Sequence, residues 1–224
     1  KIVVFGDYDA DGITSTSILT LALRRLGGNV DYYIPARETE GYGLNNQAII
    51  NLAKQGVEVL LTCDNGISAA EQVALAKELG MTVVIADHHE VPFIETEKGI
   101  QYILPAADAI INPKQADCSY PFKSLCAATI AYKMTECLYR LAQKDWQQDQ
   151  LEYLSLSTVA TICDIMDLVD ENRAMVKYGL SMLQQTPNIG LQALLEVNGL
   201  LNKKLGTYHI GFIIGPCINA SGRL

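Results

Sequence analysis

Three short apolar runs in this chain each end in a knot of acidic residues or histidines. Ile2-Val3-Val4-Phe5 leads into Gly6-Asp7-Tyr8-Asp9-Ala10-Asp11-Gly12, Val57-Glu58-Val59-Leu60-Leu61-Thr62 into Cys63-Asp64-Asn65-Gly66, and Met81-Thr82-Val83-Val84-Ile85-Ala86 into Asp87-His88-His89-Glu90. The runs are β-branched and separated by stretches of helical spacing, the pattern of buried parallel strands in an alternating β/α sheet. In such a sheet, strand ends of one polarity share an edge, and ligands bind in the crevice along it. Asp7, Asp9, Asp11, Asp64, Asp87, His88 and His89 are therefore expected to converge. One Asp-Gly turn needs no ligand to explain it. Three polar clusters at equivalent strand ends, holding two of the chain's 3 histidines, point to a site.

Carboxylates alternating at Asp7, Asp9 and Asp11 repel one another unless a cation sits among them, and a divalent ion with oxygen ligands is the usual solution. Composition permits this reading and limits it. With 224 residues, 49% of them hydrophobic, the chain has a full core to bury. The formal net charge of −8 disfavours holding a polyanion by surface charge alone, whereas bound divalent ions reverse the sign locally. No apolar run reaches the length of a membrane span and no basic-then-apolar leader appears, so a cytoplasmic protein with no membrane association is expected. The cysteines form no C-x-x-C pair and are expected as reduced thiols.

Beyond the first strand, residues 13–26 carry helical spacing up to Gly27-Gly28, and Val30 to Pro35 reads as a second strand. Residues 45–55 read as a helix, and Ser68 is expected to cap another over 69–79. Residues 92–105 look irregular, and Ala109-Ile110-Ile111-Asn112-Pro113 is a fifth strand. Residues 124–143, 149–162, 171–184 and 189–197 are helical in pattern. The expected fold is α/β, a Rossmann-like parallel sheet flanked by helices over about 1–115, followed by a mainly helical portion over about 120–224. In that portion, Ala160-Thr161-Ile162-Cys163-Asp164-Ile165-Met166-Asp167-Leu168 sets carboxylates among apolar residues, where a cation partner is needed. Periodicity does not separate Asp164 from Asp167.

The motifs Asp7-Tyr8-Asp9-Ala10-Asp11-Gly12, Asp64-Asn65-Gly66, Asp87-His88-His89 and Asp164 resemble, in order and spacing, those of the DHH phosphoesterase superfamily. Arg37 followed by Glu40-Gly41-Tyr42-Gly43-Leu44, and the terminal Ile214-Gly215-Pro216-Cys217-Ile218-Asn219-Ala220-Ser221-Gly222-Arg223-Leu224, are similar to its RecJ-type single-stranded-DNA exonucleases. The resemblance implies a metal-dependent 5′-to-3′ exonuclease releasing nucleoside 5′-phosphates, active in DNA repair and recombination beside repair or replication proteins. Phe5 stands where some relatives carry histidine, which implies fewer protein ligands for one metal. Cys126-Ala127-Ala128-Thr129 and Cys217 also depart from the usual pattern. The superfamily's downstream substrate-binding domain, with its Gly-Gly-His signature, is not found in these residues, so the chain resembles a catalytic core.

The resemblance implies two ions, Mn²⁺ or Mg²⁺, with Mn²⁺ favoured by the imidazole. Asp9 and Asp11 are assigned to separate ions, Asp64 bridges, and His88 and Asp164 hold the second; Asp7 and Asp87 are ligands or orient the ligands. His89 is assigned to the scissile phosphate. Arg37 and Arg223 are candidate phosphate forks, Tyr42 a base-stacking residue and Asn219 a substrate contact. His209 is expected to satisfy a helix or core contact. Two other readings are a DHH phosphodiesterase for short oligonucleotides or cyclic dinucleotides, and an inactive DHH module that binds nucleic acid or replication partners. The second is disfavoured because every expected ligand is present.

Overall fold

The computed structural model describes residues 1–222. Its centre is a five-stranded, all-parallel sheet in the order β2-β1-β3-β4-β7, built from Ile2–Phe5 (β1), Val30–Tyr33 (β2), Val59–Cys63 (β3), Thr82–Ala86 (β4) and Ala109–Ile111 (β7). The strand order reverses at β1, between its neighbours β2 and β3, which opens a crevice at the carboxyl edge. Register aligns the strand ends, with Phe5 opposite Thr62, Cys63 opposite Ala86 and Ala86 opposite Ile111. All the clusters singled out above leave the sheet at this one edge.

The sheet is buried on both faces. Val4, Leu61 and Cys63 point into a core shared with α1 (Ala10–Arg25), α4 (Ala127–Leu141) and α5 (Gln150–Cys163). Val3, Phe5, Leu60, Val83 and Ile85 point the other way, toward α2 (Asn46–Lys54) and α3 (Ala70–Glu78). Alternate residues of one strand thus serve two cores, which is why the runs read as continuously apolar. Further helices, α6 (Asp170–Met182) and α7 (Ile189–Val197), complete the helical portion. Among the described residues no helix is long and apolar enough to cross a membrane.

Four local features differ from expectation. Helix α1 starts at Ala10, because Asp9 takes an extended backbone and its Oδ1 accepts from the Gly12 amide at 2.9 Å; the apolar period, by contrast, begins at Ile13. Ser68 does not cap α3. Ala69 is the N-cap residue without a side-chain bond, and the preceding turn is held by the Ile67 amide donating to Asp87. Residues 92–105 contain a hairpin, β5 (Phe93–Thr96) with β6 (Gly99–Tyr102), whose strands are exposed throughout and so carry no alternation to read. Finally, a helical segment runs from α8 (Thr207–His209) through a π-helical turn (Ile210–Ile214) into α9 (Gly215–Ser221).

Helix α1 docks against the end of β1 through two glycines. A Cβ on Gly6 would meet Thr16 Oγ1 at 1.8 Å, and one on Gly12 would meet the Asp7 carbonyl oxygen at 2.5 Å. The first turn of α1 therefore lies on the Asp7 loop only because position 12 has no side chain. Gly12→Ala is expected to destabilise the fold by about 1–3 kcal/mol, the usual range for overpacking a closed site. Urea unfolding with an unchanged m-value and a lowered midpoint checks this.

Candidate metal centre

Asp7 leaves the end of β1 and is 2% exposed, with Oδ1 lacking any hydrogen-bond partner among the described residues. Burial, the largest cause, and the nearby Asp9 charge together push its pKa up to about 6, against the lowering effect of the Tyr8 amide. Asp11, in the first turn of α1, accepts from the amides of Ala127 and Ala128 at 2.7 and 2.8 Å. These are buried first-turn donors of α4 that no intrahelical carbonyl can satisfy, and the partial positive charge of the helix N-terminus suits a carboxylate. Burial nevertheless dominates at Asp11 and, with the Asp164 charge, lifts its pKa to about 7.

Asp64 follows β3 with φ of +62°, a left-handed conformation that aspartate tolerates better than most residues. Its amide still donates to Ala86, extending the sheet by one bond, while its side chain turns into the crevice. His88 Nε2 lies 3.1 Å from Asp64 Oδ1, 3.6 Å from Asp11 Oδ2 and 3.8 Å from Asp164 Oδ2. Burial, followed by the neighbouring His89 charge, lowers the His88 pKa to about 4, so the ring is neutral with a lone pair to offer a metal. Asp164 is the C-cap residue of α5 and is partly buried, whereas Asp167 is exposed. The structure therefore brings Asp164 to the site.

Asp7, Asp9 and Asp64 form one group whose ligand atoms lie within 4.8 Å of one another; Asp11, His88 and Asp164 form a second, and Asp64, His88 and His89 a third. Carboxylates this close, with Asp7, Asp11, Asp64 and Asp164 all pushed toward the protonated form by burial, are what a divalent cation would relieve. The oxygen-rich donors with one neutral imidazole suit manganese or magnesium. The residues fit the group.

Asp87, read from sequence as either a ligand or a group that orients the ligands, has its oxygens turned to the protein. Its Oδ1 accepts from the His88 and His89 amides and lies 2.7 Å from His89 Nδ1, while Oδ2 accepts from the Ile67 amide. Both oxygens are engaged by the protein, so Asp87 orients the histidine pair. Although burial opposes it, the His89 hydrogen bond leads the effects that hold Asp87 low, and the same bond raises the His89 pKa. His89 is partly exposed beside the cleft. Tyr42 donates its hydroxyl to the Asp64 carbonyl oxygen at 2.8 Å and meets the His89 ring edge-on at 5.9 Å.

The rim holds the remaining candidates. Arg37 is exposed, with Cζ 5.2 Å from the Tyr8 ring centre, and lines the same depression as Asp7, Asp9, Tyr42 and Asn219. Asn219, expected at the substrate, has its Oδ1 accepting from the Ala10 amide at 2.7 Å, so α9 pins the first residue of α1 between Asp9 and Asp11. Arg223 lies outside the described residues. His209 accepts from the Gly206 amide at a helix start, as expected. Phe5 is fully buried and stacked on Tyr33 at 4.9 Å, supplying no ligand. All 6 cysteines are free. Sequence reasoning missed Asn112, which is 2% exposed and donates to the His89 carbonyl oxygen at 2.9 Å. Its position just past the fifth strand, at the edge where the other clusters emerge, is the signal that finds it.

The architecture and this site were compared with known proteins. The single-stranded-DNA-specific exonuclease RecJ of Bacillus subtilis is 40% identical over all of this chain, which spans 26% of that protein. The RecJ of Escherichia coli is 37% identical, and the chain spans 39% of its length. The chain thus covers well under half of these relatives. A crystal structure of exonuclease RecJ bound to manganese superimposes with a TM-score of 0.84 at 32% identity, covering 99% of this chain and 53% of that one. The model of the DHH family, N-terminal domain, matches residues 1–161, the stretch that carries the first three motifs, and the chain belongs to the DHH family.

Proposed function

We propose that this chain is the catalytic core of a RecJ-like exonuclease that hydrolyses single-stranded DNA in the 5′-to-3′ direction with two divalent ions, preferably Mn²⁺. The observation that carries the reading is the meeting of the Asp7/Asp9/Asp64 and Asp11/His88/Asp164 groups, with His88 Nε2 3.1 Å from Asp64 Oδ1. Asp7, Asp9 and Asp64 would hold one ion and Asp11, His88 and Asp164 a second, with Asp64, next to His88, shared between the two groups. Bound there, divalent ions lower the pKa of an attacking water and stabilise charge on both the entering and leaving oxygens of a phosphodiester. Burial keeps the His88 ring neutral, and the Asp87 hydrogen bond orients His89 and favours its protonated form, which would donate where negative charge develops. Tyr42 and Arg37 stand at the rim where a strand enters, and the polarity and the mononucleotide product follow the family resemblance.

The test compares Mn²⁺-dependent cleavage of long single strands, dinucleotides and cyclic dinucleotides by this chain. Preferential cleavage of long strands supports the reading. Preference for cyclic dinucleotides or dinucleotides replaces it with a small-substrate phosphodiesterase, and no cleavage of any of them leaves a binding module.

Two predictions follow from the ligand set. Asp164→Asn should lower the cleavage rate by more than about 100-fold, because it removes a ligand, whereas the exposed Asp167→Asn should keep most of it. Single-turnover rates at saturating Mn²⁺ check this, and equal losses would mean the wrong aspartate faces the crevice.

The second concerns pH. In chelator, Asp7, Asp11 and Asp164 hold their protons up to about 6, 7 and 6, above the ordinary value of 3.8. A carboxyl with a raised folded pKa contributes stability that is complete below its unfolded value and is lost as pH rises through the folded one. His88, with its lowered pKa of about 4, opposes this between that value and 6.5, but the carboxyls outnumber it. The metal-free protein should therefore melt at progressively lower temperature from pH 5 to pH 8, and saturating Mn²⁺ should flatten or reverse that slope. Thermal unfolding by circular dichroism across this range checks the sign.

A further inference from the structure

One cation near the carboxyl edge of the sheet is not used by the metal centre. Lys114 follows β7, its amide donating to Asn112 Oδ1 at 2.8 Å, while Asn112 Nδ2 donates to the His89 carbonyl oxygen at 2.9 Å. Its backbone is thereby tied to the histidine pair through a buried asparagine. Its charge also reaches the centre, since it is among the influences on both His88 and Asp164, after burial and other neighbouring charges. The ammonium itself sits 2.8 Å from Glu90 Oε1, and the Glu90 side chain is 84% exposed. A carboxylate so open to water holds a lysine weakly. Lys114 is thus placed beside the crevice by a firm backbone tether and restrained there by a partner it can leave.

Arg37 marks the opposite end of the edge. It lies just past β2, whereas Lys114 lies just past β7, and these are the two outer strands of the sheet. The strands between them, β1, β3 and β4, lead into every metal-site residue except Asp164, which α5 supplies, so the two cations flank the centre. Four strand spacings separate the outer strands, about 19 Å at the usual interval. In a chain of net charge −8, two cations flanking an acidic site on one edge suit a polyanion laid across it.

We propose that Lys114 is a phosphate-binding residue of the single-strand track: on binding it exchanges Glu90 for a backbone phosphate on the side of the metal centre opposite Arg37, and Glu90 competes with the strand for it. The inference rests on the reading of this site as a single-strand nuclease. It assigns opposite roles to two residues that form one ion pair, which a purely structural pair would not have.

The experiment measures fluorescence anisotropy of a fluorescein-labelled oligothymidylate bound to the 224-residue chain in Ca²⁺ over a series of salt concentrations. Lys114→Gln should weaken binding and reduce the slope of log affinity against log salt by about 0.7, the increment for one phosphate contact on a single strand. Glu90→Gln should tighten binding by up to about fivefold, as the competing surface pair is removed. Lys54→Gln, at the far end of α2 where the chain enters the amino edge of the sheet, should change neither. Melting curves establish that each variant is folded. Equal weakening by Lys114→Gln and Glu90→Gln, or an unchanged salt slope in Lys114→Gln, overturns the inference while leaving the nuclease reading in place. A wild-type chain that does not bind the oligothymidylate at all overturns both.

Discussion

Everything else in this structure accommodates mutual repulsion among carboxylates gathered out of water. Asp7, Asp11 and Asp64 are almost completely buried, Asp164 partly so, and only one neutral imidazole lies among them. Burying charges of one sign together is costly, and a fold that does so needs rigid supports and a counter-charge. The supports are visible at each residue. The α4 N-terminus binds Asp11 through two amides, Gly12 lets α1 lie on Asp7, Asn219 fixes the Ala10 amide, and Asp64 accepts a left-handed backbone to face inward. The counter-charge is assigned to divalent cations.

The parallel sheet and the convergence of its polar ends were legible because both are properties of short-range pattern. β-Branched runs, helical spacers and acidic or histidine clusters at equivalent strand ends force those clusters to one edge. What was not legible depends on contacts far apart in sequence. Nothing local to Asp11 announces that the amides of Ala127 and Ala128 will meet it, 116 and 117 residues away. The choice between Asp164 and Asp167 was also beyond the helical period, since it turns on where α5 ends: Asp164 is the C-cap residue and faces inward, while Asp167 lies beyond it in solvent. Position alone left Asp87 either a ligand or an orienting group, and the turn that follows β4 directs its two oxygens to backbone amides and His89. The exposed hairpin of β5 and β6 left no pattern to read because neither of its faces is buried.

The charge distribution bears on the proposed binding of a single strand. The metal centre sits in a chain of net charge −8, so cations at the edge of the crevice matter more than they would on a basic surface. Arg37 and His89 were suggested by sequence, Lys114 by its place past the last strand.

The central claim is that Asp64 joins two metal-binding groups into one centre. Isothermal titration of the chelator-treated chain with Mn²⁺, beside Asp64→Ala with its fold verified by circular dichroism, tests it most directly. The account predicts two ions per wild-type chain and loss of most binding at both positions in the variant. An Asp64→Ala protein that binds Mn²⁺ with the wild-type stoichiometry and affinity would contradict it.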